Sequence, residues 1–390
     1  MTNNFNRIGC AVSAGILTMA LASGAAFAKS PQDVVLSFST VGDSREDPTT
    51  TTLNAQNKIW LQNTTAWSRI METISAQKSK LLFFNGDMIM GYGTADYSKI
   101  NTTSLAAAAG SDFVKYYQQY AFWRGMVAHL MEDGTYVVPV PGNHEVQRKS
   151  PTKQALEVNE NVWRENMGDL ILDKTRFSSV VGLDATNFSG DLDPANPAIF
   201  PGKADGDLTS QKQLSYSFDV ADSHFAIVNT DPVGQDGNPP TIWLQNDLLA
   251  AQGRGQKHIY VFGHKPVYPY IYKAGVVPSG INPTAADAFW NVIETYHATY
   301  FCGHEHIYNV SQPTAAKGGK SWQVIVGSGG SPFEAAAADV QANATLNPKT
   351  DRDYAWATVK IRRNGKVDMT TYGFSDSYGP TKVLERVTLE

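Results

Sequence analysis

Short apolar runs, each ending in a polar, glycine-containing loop, recur along most of the chain. Val34 to Val41 runs into Gly42-Asp43, and Leu81–Asn85 into Gly86-Asp87. Tyr136–Pro141 is followed by Gly142-Asn143-His144-Glu145, and Phe225–Asn229 by Thr230-Asp231. His258–Phe262 leads to Gly263-His264, Tyr300–Cys302 to Gly303-His304-Glu305-His306, and Val324–Val326 to Gly327-Ser328-Gly329-Gly330. Runs that are apolar throughout, rather than alternating, predict strands in sheets covered on both faces. Between them, Asp112 to Met131 places apolar residues at mixed three and four spacing behind an aspartate, which predicts a helix. Ala155 to Met167 and Thr241 to Ala251 are shorter helix candidates. Tyr354 to Arg362 and Val367 to Phe374 alternate more and read as antiparallel closing strands. The succession is that of an α/β protein whose site gathers at the loops after the strands.

Two stretches depart from this rhythm. Asp173 to Gln213 and Pro332 to Arg352 are rich in small and polar residues, longer than ordinary connections, and candidates for a lid or an inert excursion. Neither has the composition of a linker, so residues 29–390 are read as one domain. Residues 1–28 are set apart. Arg7 precedes an apolar run from Ile8 to Phe27, closed by Ala26-Phe27-Ala28, the layout of a cleaved secretory signal. The run is rich in Ala, Gly and Ser, which suits cleavage better than a membrane anchor. The expected mature chain is periplasmic or secreted, with no membrane span after cleavage.

Composition narrows the picture further. The formal charge is −5, and −6 once Arg7 leaves with the signal, which argues against nucleic acid as a stable partner. Of the two cysteines, Cys10 lies in the signal, so Cys302 has no internal disulfide partner and stability must come from the core.

The strand-end loops carry the chemistry. Asp43, Asp87, Asn143, His264, His304 and His306 offer oxygen and imidazole ligands without a thiolate, a mix suited to Zn, Fe or Mn. In "GHEH" alternate side chains share a face, so His304 and His306 can enter one cavity while Glu305 points away.

The ordered series "GD", "NGD", "PGNHE", "VFGH" and "GHEH" resembles the calcineurin-like metallophosphoesterases over nearly all of the mature chain. "YSFDVADSHFAIVNTD", "WLQNDLLAA" and "VIVGSGGSP" look like the purple acid phosphatase branch. The resemblance implies a four-layer α/β/β/α sandwich, two mixed sheets flanked by helices, with metal at the strand ends. It implies that Asp87 bridges two metals, that Asn143, His264 and His304 complete the second metal's shell, and that Asp43 and His306 serve the first. His144 would contact the phosphate or protonate the leaving alkoxide, with Glu145 orienting it. Two cations about 3.5–4 Å apart would clamp the phosphoryl oxygens and activate a water as nucleophile.

The first motif breaks the pattern. The family's Asp-x-His reads Asp43-Ser44-Arg45 here, and the tyrosine that purple acid phosphatases place three residues after the bridging aspartate is Met90. Tyr92, between Gly91 and Gly93, is the one nearby substitute; otherwise it packs or faces solvent. A guanidinium cannot ligate a metal. Arg45 is therefore expected either to bind two phosphate oxygens as a catalytic and substrate-binding group, or to turn outward and pair with Glu46 or Asp47. One or two metal ions are expected. The leading function is an exported phosphomonoesterase acting on a small phosphoester. The alternatives are a phosphodiesterase or nucleotide hydrolase with the same site, and a degenerate non-catalytic metal- or phosphate-binding protein.

Overall fold

A computed structural model describes residues 33–49, 55–171, 173–189, 203–270, 276–333 and 353–390. The expected signal segment, residues 1–28, lies outside the described residues.

The strands are β1 (Val34–Val41), β2 (Leu81–Asn85), β3 (Tyr136–Val140), β4 (Gln147–Arg148), β5 (Gln154–Ala155), β6 (Ala185–Ser189), β7 (Tyr216–Val220) and β8 (Ser223–Ile227). They continue with β9 (His258–Phe262), β10 (Thr299–Cys302), β11 (Tyr308–Ser311), β12 (Gln323–Val326), β13 (Asp353–Arg362), β14 (Val367–Ser375) and β15 (Lys382–Thr388). Among the described residues they form two mixed sheets, ordered β15-β14-β13-β1-β2-β3 and β11-β12-β10-β9-β8-β7-β6, plus the small hairpin β4-β5.

The two sheets pack face to face through aromatic side chains. Phe83 of the first sheet stacks on Phe262 of the second with ring centroids 3.8 Å apart, and Phe38 meets Phe225, Phe262 and Phe301 edge-on. Helices cover the outer faces. Trp67 of the helix Thr64–Gln77 and Trp123 of the helix Asp112–Glu132 both pack edge-on against Phe84. On the far side, Trp243 and Leu248 of Thr241–Gly253 and Phe289 and Ile293 of Pro283–Thr295 close over Ile259, Val261 and Tyr300. This is the four-layer α/β/β/α sandwich. Burial on both faces explains why every residue of β2, β3, β7, β8 and β9 is buried.

The topology places the site. β1, β2 and β3 run parallel, as do β8, β9, β10 and β12, so their carboxyl ends share one edge of the sandwich. β13 pairs antiparallel with β1 and β14 antiparallel with β13, as the alternation in the sequence predicts.

Part of the Asp173 to Gln213 segment is regular. The helix Lys174–Val181 and strand β6 lie at the edge of the second sheet, beside β3 and β7, rather than as a lid. Residues 190–202 and 334–352, which carried the rest of the lid expectation, lie outside the described residues.

Candidate metal centre

The strand ends bring Asp43, Arg45, Asp87, Asn143, His144, His264, His304 and His306 together, all buried. Asp43, Asp87 and His304 each hold a left-handed backbone, with φ of 61°, 55° and 70°. This conformation is uncommon outside glycine and costs free energy on the order of 1–3 kcal/mol per residue. Asp and His tolerate it better than most, and it turns each side chain sharply back from its strand. Neighbouring glycines make room: a Cβ on Gly86 would stand 2.6 Å from both the Gly142 Cα and the His264 Nδ1.

Two groups of ligand atoms result, Asp87–His264–His304 and Asp43–Asp87–His306, with the atoms of each group within 4.8 Å of one another. In the first group His264 Nδ1 donates to the Asn85 carbonyl at 2.7 Å, so its Nε2 presents a lone pair to the cavity. That lone pair faces Asn143 Oδ1 at 2.9 Å, Asp87 Oδ1 at 3.2 Å and His304 Nδ1 at 3.1 Å. Acceptors buried this closely repel one another. A proton on His264 relieves part of that, and the Asp87 and Asp43 carboxylates do outweigh burial and lift this imidazole to about 9. A metal ion satisfies the whole set. The residues therefore fit a metal, with Asp87, Asn143, His264 and His304 as its holders.

Asp87 belongs to both groups. Its Oδ1 faces the first group, while its Oδ2 lies 3.4 Å from Arg45 Nε and 3.6 Å from His144 Nε2. Burial works against its charge, but His144, His264 and Arg45 prevail and hold the carboxyl well below the usual range. Asp43 shows the opposite balance: burial, reinforced by Asp87, drives it well above that range.

Arg45 points inward. Beyond its Asp87 contact, its terminal nitrogen lies 3.4 Å from His306 Nε2, and the residue is 8% exposed. The outward pairing with Glu46 or Asp47 is therefore not the arrangement formed. Tyr92 also turns in. Its ring lies 3.7 Å from the His144 ring, and its hydroxyl accepts from the Asn143 amide, which leaves Asn143 Oδ1 free for the cavity. Burial, then Asp87, pushes the phenol well above its ordinary value, so it stays protonated. Tyr92 thus supports the group around Asn143 and does not replace the ligand missing beside Asp43.

Glu145 does not orient His144. Its carboxylate accepts from the backbone N–H groups of Asp87, Met88, Ile89 and Gly142 at 2.7–3.1 Å, tying two ligand loops together. The Met90 carbonyl accepts from His144 Nδ1 and does the orienting. Other groups around the site lie outside the predicted ligand set. Asp231, after β8, forms a buried ion pair with Lys265 next to His264. Lys149 and Lys153, both exposed at the β4–β5 hairpin, place their ammonium groups 6.0 and 5.3 Å from the Tyr92 ring. In "VYPYIY", Tyr268 packs edge-on against Trp290, Tyr270 is buried in the core, and Tyr272 lies outside the described residues. Cys302 is fully buried and unreactive in character, its thiol pushed up by burial.

A sequence profile of the calcineurin-like phosphoesterases matches residues 60–308. No curated protein sequence matches the chain. Among solved structures it is similar to a purple acid phosphatase from yellow lupin (Lupinus luteus) seeds, with TM-score 0.57 and 14% identity over 92% of this chain and 54% of that one. The chain thus spans about half the length of that phosphatase. It is also similar to GAP50, the anchor in the inner membrane complex of Plasmodium (TM-score 0.47, 12% identity, 90% and 88% covered). A dimetal phosphatase from Danio rerio gives TM-score 0.45 and 14% identity, with 92% and 99% covered. At such identities the structural likeness speaks to the fold alone, and the family rests on the profile: the chain belongs to the calcineurin-like phosphoesterases, a family of phosphoric ester hydrolases.

Proposed function

We propose that residues 29–390 form one exported catalytic domain, a metal-dependent phosphomonoesterase acting on a small phosphoester in the periplasm or outside the cell. The observation that carries the reading is the convergence of Asp87, Asn143, His264 and His304 on one buried point, with His144 and Arg45 beside it. A bound Zn, Fe or Mn ion would supply Lewis acidity toward a phosphoryl oxygen and toward water.

The chain's own residues do the rest. The Arg45 fork takes phosphate oxygens and steadies charge on the phosphoryl group. Asn143 helps align the phosphate, its amide fixed by Tyr92. His144 is turned by the Met90 carbonyl so that Nε2 faces the cavity. Burial, then the Arg45 charge, holds the imidazole well below its ordinary value. The negative charge of a bound phosphate offsets both, so that the imidazolium donates a proton from Nε2 to the leaving alkoxide. The signal-like segment supports export.

Turnover of p-nitrophenyl phosphate well above that of the bis-ester is the expected result, measured as kcat/KM on metal-loaded protein. The reverse preference would move the reading to a phosphodiesterase. No turnover of monoesters, diesters or nucleotides would leave a binding protein. His144→Ala should lower kcat for alkyl phosphates by about 10²–10⁴-fold, and much less for nitrophenyl phosphate, whose leaving group needs no proton. Equal losses on both would remove the proton-donor role.

A further inference from the structure

We propose that the Arg45 guanidinium stands in place of a first metal ion, so that the centre binds one metal per chain. The catalytic consequence rests on the hydrolase reading above; the stoichiometry does not.

Asp43, Asp87 and His306 are close enough to share an ion, so the first position does not fail for want of approach. It fails because a fixed cation already uses the same atoms. Arg45 Nε lies 3.4 Å from Asp87 Oδ2, and its terminal nitrogen 3.4 Å from His306 Nε2. His306 Nδ1 faces the Pro332 carbonyl at 2.7 Å and donates to it, which leaves the lone pair on Nε2, the atom turned toward the guanidinium. That is the lone pair a metal would need. Arg45 is held by its backbone as well: its N–H reaches the Asp87 carbonyl, its carbonyl accepts from Ser331 Oγ at 2.7 Å, and it bridges to Gln62. Swinging the head group aside would therefore leave a buried guanidinium to be rehoused. Arginine cannot shed its proton, and at 8% exposure solvent does little to screen it from a divalent ion bound beside it.

One observation favours an ion. Asp43 Oδ1 is buried and accepts no hydrogen bond among the described residues; His306 Nε2 lies 3.7 Å from it. The comparison between the two positions still favours one. Asp87, Asn143, His264 and His304 form a four-residue cradle with no permanent cation among them, since an imidazole can give up its proton to an ion, against three residues and a guanidinium that cannot. The phosphate would then be held from one side by a metal ion and from the other by a planar fork, which binds two oxygens in a fixed geometry.

The test is metal content by elemental mass spectrometry, with calorimetric titration of zinc or manganese into chelator-stripped protein. One ion per wild-type chain is expected. Arg45→His, which restores a ligand and removes the fixed charge, should raise it to two. Arg45→Met, which removes the charge and adds no nitrogen, should tighten a second ion at least tenfold relative to wild type, and it covers the case in which the histidine variant does not fold. Two tightly bound ions in the wild type overturn the proposal. One ion in the wild type with a second-ion gain in Arg45→His alone, or in neither folded variant, overturns it too, because the charge would then not be what keeps the ion out. Protein that binds no ion at all overturns the metal reading itself.

Discussion

Glu145 is the residue on which the precision of the site depends most. One carboxylate receives four backbone N–H groups from two loops, and those loops carry Asp87 and Asn143. Glu145→Gln replaces one accepting oxygen with an NH₂ that points at N–H donors. It should destabilise the fold by roughly 2–3 kcal/mol and weaken metal binding at least tenfold, read from urea unfolding and calorimetric titration. Unchanged metal affinity would show that the loops hold themselves. The sequence made the ligands legible because each is a polar residue next to a glycine at the end of an apolar strand. It did not make their supports legible. Glu145 acts through backbone amides 56–58 residues away, and Met90 through its carbonyl, a group every residue has. Arg45 was visible as a departure from the motif, but its direction depended on whether the Asp87 and His306 side chains would face it.

At the scale of elements, the strands and their order were readable because double-sided burial writes continuous apolar runs. The helices were less so. Thr64–Gln77 presents Ala66, Trp67, Ile70, Met71 and Ile74 to the first sheet, yet three threonines and two serines, none of them buried, blunt the pattern. Its N-cap is the clearer signal, and it links the helix to the site. Asn63 Oδ1 accepts from the Ala66 N–H at 3.0 Å and from the Tyr378 hydroxyl at 3.1 Å, while its amide donates to the Gly330 carbonyl at 3.1 Å. Gly330 belongs to the turn whose Gly329 and Ser331 amides hold the carbonyls of Gly42 and Asp43. Asn63→Ala should cost about 1–2 kcal/mol in urea unfolding. Asn63→Asp keeps the cap acceptor but turns an oxygen on Gly330, so it should retain most of that stability while disturbing the Asp43 loop. A variant pair with equal unfolding midpoints would show that the cap contributes nothing beyond the turn contact. The β4–β5 hairpin was not legible at all, since two-residue strands carry no period; only the structure shows that it brings Lys149 and Lys153 over Tyr92.

Away from the metal centre, a second buried polar group lies on the second sheet. His224 of β8 donates from Nδ1 to Asp219 Oδ1 at 2.6 Å and from Nε2 to Asp247 Oδ2 at 3.0 Å, joining two adjacent strands to the helix Thr241–Gly253. Arg254 reaches Asp219 at 2.8 Å, Gln256 donates to the same carboxylate, and Ser217 donates to Asp247. Burial would hold the imidazole down, but Asp247 and Asp219 prevail and raise it to about 9. An unfolded histidine titrates near 6.5. The folded state therefore binds the proton more tightly, and this stabilisation is complete below about pH 6.5 and lost as pH rises through about 9. A difference of that size corresponds to roughly 3 kcal/mol. His224→Gln removes the titrating group and leaves two aspartates short of a donor, so it should be much less stable than wild type at pH 6. The gap should then narrow by pH 9.5, because the wild type surrenders its proton while the variant has none to lose. Comparing wild type with variant at each pH cancels the titration of the metal ligands, which both proteins share. Urea unfolding of metal-saturated protein from pH 6 to 9.5 reads the gap directly. A gap that stays constant across that range would mean His224 is neutral in the fold, and that Arg254 alone carries the charge of Asp219.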